Sequence, residues 1–168
     1  MNAAASSRKA KVTLPSDEEI LITREFDAPK ELVYKAWTTP ELVKRWWAGH
    51  RGEMTSVEMD VRVGGKWRYV MLAGGTHEIA FHGEYREIVP QERIVNTEVF
   101  EMSGTDGSAE DDAPLVTVTF TERDGHTTLN LLTETSSKEL RDMIINSGME
   151  GGMQEQMDRL EEIAISLR

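Results

Sequence analysis

The sequence predicts an α+β fold in which a curved antiparallel sheet wraps around a long C-terminal helix, with an apolar pocket between them. Three observations predict it. Between residues 53 and 133 apolar side chains recur at every second position, in runs separated by Gly-Gly, Asp-Gly and Pro-bearing turns, which is the pattern of consecutive strands with one buried face. From Ser137 to Arg168 the period becomes helical, and Met149, Met153, Met157, Leu160, Ile163 and Leu167 fall on one side. The chain has 168 residues and no cysteine, so one domain must be held by an apolar core alone.

Residues 1–17 are small, polar and slightly basic, and predict a flexible tail ahead of a single domain at 18–168. Glu19–Phe26 is β-branched and apolar and reads as the first strand, stopped by Asp27-Ala28-Pro29. Lys30–Trp37 has helical spacing, with Val33, Ala36 and Trp37 on one face. Thr39 and Pro40 open a second short helix as N-cap and first helical residue, burying Leu42, Val43 and Trp46. Val57, Met59 and Val61 then alternate with polar residues up to the Gly64-Gly65 turn. Trp67, Tyr69 and Met71 alternate in the next strand, and Ile79, Phe81, Gly83 and Tyr85 in the one after Gly74-Gly75. Ile94–Glu101 follows as one strand, then an acidic loop at Ser103–Pro114 expected to be mobile, then a hairpin of Leu115–Glu122 and Thr127–Thr133 around Asp124-Gly125. Ser137 is the expected N-cap of the C-terminal helix. Gly148, Gly151 and Gly152 interrupt that helix, and each interior glycine costs about 0.5–1 kcal/mol relative to alanine. They predict either close approach to the sheet, with open volume beneath, or a break near Ser147-Gly148.

Charge removes several partners. The net charge is −11, opposite to the basic footprint a nucleic-acid binder needs. No stretch nears the ~20 apolar residues of a membrane span, and the N-terminus lacks a secretory apolar region, so we expect a cytoplasmic chain without stable membrane insertion.

The candidate site is the inward stripe: Trp67, Tyr69, Met71, Phe81, Tyr85, Met149, Gly152 and Met153. Ordinary core packing explains any one of these. A ligand pocket explains the set, because thioethers suit adaptable apolar surfaces, the glycines remove volume, and the two tyrosine hydroxyls can orient a ligand. The histidines support no metal site. His50, His77, His82 and His126 show no HxH or HExxH spacing and there is no thiol partner. His50, near the expected pocket mouth, is the best histidine candidate. His82 is on the polar phase of its strand. Gly64-Gly65 lacks the Gly-Lys-Ser/Thr of a phosphate loop. Asp60–Arg62 reads as a surface pair, and Arg68–Glu84 as a cross-strand pair. No catalytic residue and no cofactor is assigned.

Local motifs carry a resemblance. Phe26-Asp27-Ala28-Pro29, Pro40-Glu41-Leu42, Arg45-Trp46-Trp47, Asp60–Gly65 with Trp67-Arg68, Gly83–Ile88, Glu92-Arg93, Val116–Phe120, and Gly148-Met149 with Gly151-Gly152 and Asp158-Arg159-Leu160 stand in an order that resembles the START-like, or SRPBCC, superfamily. Within it they closely resemble the branch named after the activator of heat-shock-protein ATPase, the AHSA type, over about residues 20–167. The resemblance implies the helix-grip fold shared with the birch-pollen allergen, and a site for hydrophobic ligands. Many members carry Trp early in the long helix, where this chain has Met153. It also implies two alternatives. One is a polyketide cyclase or dehydratase-like enzyme using the same pocket. The other is an interaction module for a chaperone, or a homodimer. The inward phase offers almost no ionisable group, so binding of an apolar or aromatic small molecule or lipid is the favoured expectation over catalysis.

Overall fold

The computed structural model describes residues 9–49, 52–102 and 113–168. Among the described residues nine antiparallel strands form one open sheet: β1 Lys11–Thr13, β2 Glu19–Phe26, β3 Gly52–Met59, β4 Lys66–Ala73, β5 His77–Val89, β6 Arg93–Thr97, β7 Val99–Met102, β8 Leu115–Arg123 and β9 His126–Glu134. Their order is β1-β2-β9-β8-β6-β5-β4-β3, with β7 also on β5. The same residues form four helices: α1 Lys30–Thr38, α2 Pro40–Trp46, α3 Lys138–Asn146 and α4 Met149–Ser166. The expected helix-grip architecture is present.

The turns are where the glycines require them. Asp124 and Gly125 both have positive φ, at 55° and 80°, which a two-residue hairpin turn of the right-handed twist needs. Gly74 and Gly75 also have positive φ, at 61° and 76°, in the longer turn between Ala73 and His77. The register that follows aligns Trp67 with Gly83, Tyr69 with Phe81 and Met71 with Ile79, so all six share one face. On β2 and β9 the same face carries Ile20, Ile22, Phe26 and Leu129, all buried.

The C-terminal segment is two helices rather than one. Ser137 caps α3 by accepting from the Leu140 N–H at 3.1 Å, as expected. Gly148 then takes φ 85°, a left-handed conformation that ends one helix and starts the next. The break at Ser147-Gly148 is therefore real, and α4 alone lies against α1 and α2 with Met153, Met157, Leu160, Ile163 and Ala164 buried. Thr39 precedes α2, but its hydroxyl donates back to the Lys35 carbonyl at 2.6 Å and caps nothing in α2.

Three other expectations change. The tail drawn at residues 1–17 joins the fold from residue 10, because Lys11–Thr13 pairs with Leu21–Thr23 as β1. The Gln154 side chain then holds the Ala10 backbone by two hydrogen bonds, at 3.0 and 2.8 Å. The strand expected at Ile94–Glu101 is divided at Glu98 into β6 and β7. Arg68 does not reach Glu84. The register sets Arg68 opposite His82 and Glu84 opposite Lys66, so Arg68 pairs with Glu101 at 3.2 Å and Glu84 with Arg86 at 3.0 Å. The acidic loop expected to be mobile lies outside the described residues over 103–112, as does His50.

Candidate ligand site on the inner face of the sheet

The inward side chains of β4 and β5 build an aromatic wall. Trp67 and Tyr69, two apart on β4, have ring centroids 4.7 Å apart. Trp47, just past α2, lays its edge against Tyr69 at 4.9 Å and reaches Phe81 at 6.0 Å. Phe81 continues to Phe100 of β7 at 5.1 Å. Exposure rises along this line. Trp67 and Tyr69 are buried, Trp47 and Phe81 are part-buried, and Phe100 is 50 % exposed. The wall thus runs from the interior to the surface.

Of the eight expected site residues, Trp67, Tyr69, Met71, Tyr85, Gly152 and Met153 are buried, and Phe81 and Met149 are part-buried. None lines either of two cavities beside the core. The larger, about 490 Å³, lies between α2, β3 and α4, with Lys44, Arg45, Glu53, Met54, Arg159 and Ile163 on its walls. It is a mixed-charge surface cavity.

Polar groups interrupt the apolar wall. The Trp67 indole N–H is buried and has no hydrogen-bond partner. It sits over Gly83, where a β-carbon would lie 2.7 Å from Nε1 and would overlap the Thr97 carbonyl oxygen. The Tyr69 and Tyr85 hydroxyls interact with each other, and burial raises both well above the usual phenol range. Glu98 is a further one.

Glu98 occupies the gap between β6 and β7. Asn96 is paired with Tyr85 and Phe100 with Phe81, so alternation sets Ile94, Asn96, Glu98 and Phe100 on the inward phase. Its charge is felt by Tyr69. The residue keeps some solvent contact, yet the carboxyl is surrounded by enough protein that lost hydration pushes it up to about 7. Among the described residues burial is the only cause, and no cation offsets it. Sequence reasoning missed Glu98 because polar Asn96 and Glu98 broke the apolar rhythm of this strand. The signal available was register: Phe100 matches Phe81 in hydrophobicity, which sets Glu98 inward two residues earlier.

The histidine of this region is on the other face. His82 Nδ1 and Arg68 both meet Glu101 outside the sheet, and these neighbours hold the Glu101 carboxyl below the usual range. Among the described residues no three His, Asp or Glu side chains are grouped to hold a metal, and no helix is long and apolar enough to cross a membrane.

Residues 27–164 match the family model described as "Activator of Hsp90 ATPase homolog 1-like protein". The chain belongs to this family. Solved structures with the same fold include a Rhodobacter sphaeroides protein, 22 % identical at a TM-score of 0.83 over 95 % of this chain and 100 % of that one. A Mycobacterium smegmatis protein is 20 % identical at 0.82, covering 94 % and 98 %. A Chromobacterium violaceum protein is 27 % identical at 0.72, covering 86 % and 96 %. No curated protein matches the sequence. Membership in the family brings a fold of the ligand-binding type.

Proposed function

We propose that this family member binds an apolar or aromatic small molecule between the aromatic wall and α4. The observation that carries the reading is the unpartnered Trp67 N–H at the buried end of that wall. Leaving such a donor unpaired costs about 1–3 kcal/mol, and a core with no other duty would pair it or replace it with carbon. A ligand carrying an acceptor atom removes that cost. The ligand contacts are Trp67, Tyr69, Met71, Phe81, Tyr85, Met149, Gly152 and Met153. The site needs no metal or organic cofactor, since burial supplies the affinity. The compartment we propose remains the cytoplasm. Mass spectrometry of compounds extracted from natively purified protein, followed by binding to Gly152→Leu, tests the reading. The variant should keep its fold and lose affinity. An unfolded variant, together with no stabilisation of the wild type by any apolar compound, would leave only core packing. A chaperone partner would then take first place, carried by the family description alone.

A further inference from the structure

We propose that the site selects organic cations: apolar or aromatic ammonium compounds whose positive group is held by Glu98 and the faces of the surrounding aromatic rings. The inference rests on the reading of the wall as a ligand site and adds the chemical class of the ligand.

Two observations converge. Glu98 is the inward carboxyl of a wall otherwise made of Trp47, Trp67, Tyr69, Phe81 and Tyr85, and the charge that would balance it is missing from the described residues around it. Aromatic faces carry negative potential and attract cations within about 6 Å, by ~2 kcal/mol when water is excluded. A carboxylate on the inward phase of a sheet lined by such rings repels anions and gains from a cation. It gains nothing from a neutral hydrocarbon. The buried Trp67 N–H adds a donor for an ester or ether oxygen on the same ligand. Access follows from the exposure gradient, since Trp47, Phe81 and Glu98 are part-buried and Phe100 lies at the rim. The net charge of −11 favours the approach of a cation from a distance.

The titratable groups facing Glu98 are Tyr69 from β4 and, through it, Tyr85 from β5; Tyr34 of α1 and Asp60 act on Tyr85. The tyrosines are held above their usual range and do not change charge between pH 6 and 8. Glu98 does. When a cation binds, Glu98 gives its proton to the buffer and remains ionised. Affinity for the cation therefore follows the ionised fraction, rising about tenfold from pH 6 to pH 8 and levelling above it.

The test uses benzoylcholine and its neutral carbon isostere 3,3-dimethylbutyl benzoate, titrated by calorimetry and tryptophan fluorescence at pH 6, 7 and 8. The expected result is at least a tenfold preference of the wild type for benzoylcholine at pH 8, shrinking about tenfold by pH 6. Glu98→Gln should bind the isostere as the wild type does and lose both the preference and its pH dependence. Equal or tighter binding of the isostere by the wild type overturns the cation proposal and leaves the apolar-ligand reading standing. So does a preference that survives in Glu98→Gln. Binding of neither compound overturns both.

Discussion

Arg24 donates through Nη2 to Glu161 Oε1 at 2.6 Å, and the two side chains are only 0 % and 5 % exposed. Arg24 projects from the inward face of β2, and Glu161 from α4, so the pair ties sheet to helix from inside. Further partners surround the pair. Arg24 also meets Asp158 at 2.9 Å and the Glu25 carbonyl at 3.0 Å, and lies over the Phe26 ring at 5.1 Å. The second Glu161 oxygen accepts from the Asp27 N–H at 2.8 Å.

A buried pair of this kind is weak evidence of net stabilisation, because both ions lose their hydration. Removing one partner is different, since it strands the other charge. Glu161→Leu or Arg24→Met should each cost about 3–5 kcal/mol in urea unfolding. The double variant should recover most of that loss. If its cost equalled the sum of the two single costs, the ions would be acting independently and the tie would not exist.

Gly83 should tolerate no side chain. It is extended, so backbone strain is not the reason; space is. The missing Cβ is what lets β6 come within reach of β5 beside Trp67. Gly83→Ala would push Thr97 away and press on the indole. We expect a loss of about 1–3 kcal/mol or more and a shifted tryptophan emission. An unchanged melting temperature and spectrum would mean that the two strands are less closely held at this point.

The strands and their inward phase were legible because a two-residue period with aromatic residues on one phase has a single meaning beside a covering helix. Trp67, Tyr69 and Tyr85 were read that way and are buried. β1 was not legible: three residues, Lys-Val-Thr, carry no period, and their order comes from the β2 edge and from Gln154, 144 residues away. The C-terminal break was visible as Ser147-Gly148, but composition alone could not choose between a glycine that thins a helix and one that ends it. Positive φ at Gly148 decides it. Glu98 was hidden for a further reason. On its strand both phases mix polar and apolar residues, so only pairing with β5 separates inside from outside.

Glu98 also makes a prediction about the unliganded protein. Its carboxyl is pushed up to about 7 in the fold, against an ordinary value near 4.5 when the chain is unfolded. The folded state thus holds this proton more tightly. The stability that comes with it is fully present below about pH 4.5 and is lost as pH rises through 7. Glu98→Gln keeps the shape and the hydrogen-bonding capacity but does not titrate. Relative to the wild type it should gain little at pH 4.5 and about 1–3 kcal/mol at pH 8, the full linkage being reduced by the solvent that still reaches the carboxyl. Denaturant unfolding of both proteins from pH 4.5 to 8 measures this, and taking the difference cancels the other acidic groups of the chain. A difference that stays constant across that range would place the Glu98 carboxyl in ordinary solvent, and the inward carboxyl on which cation selection depends would be absent.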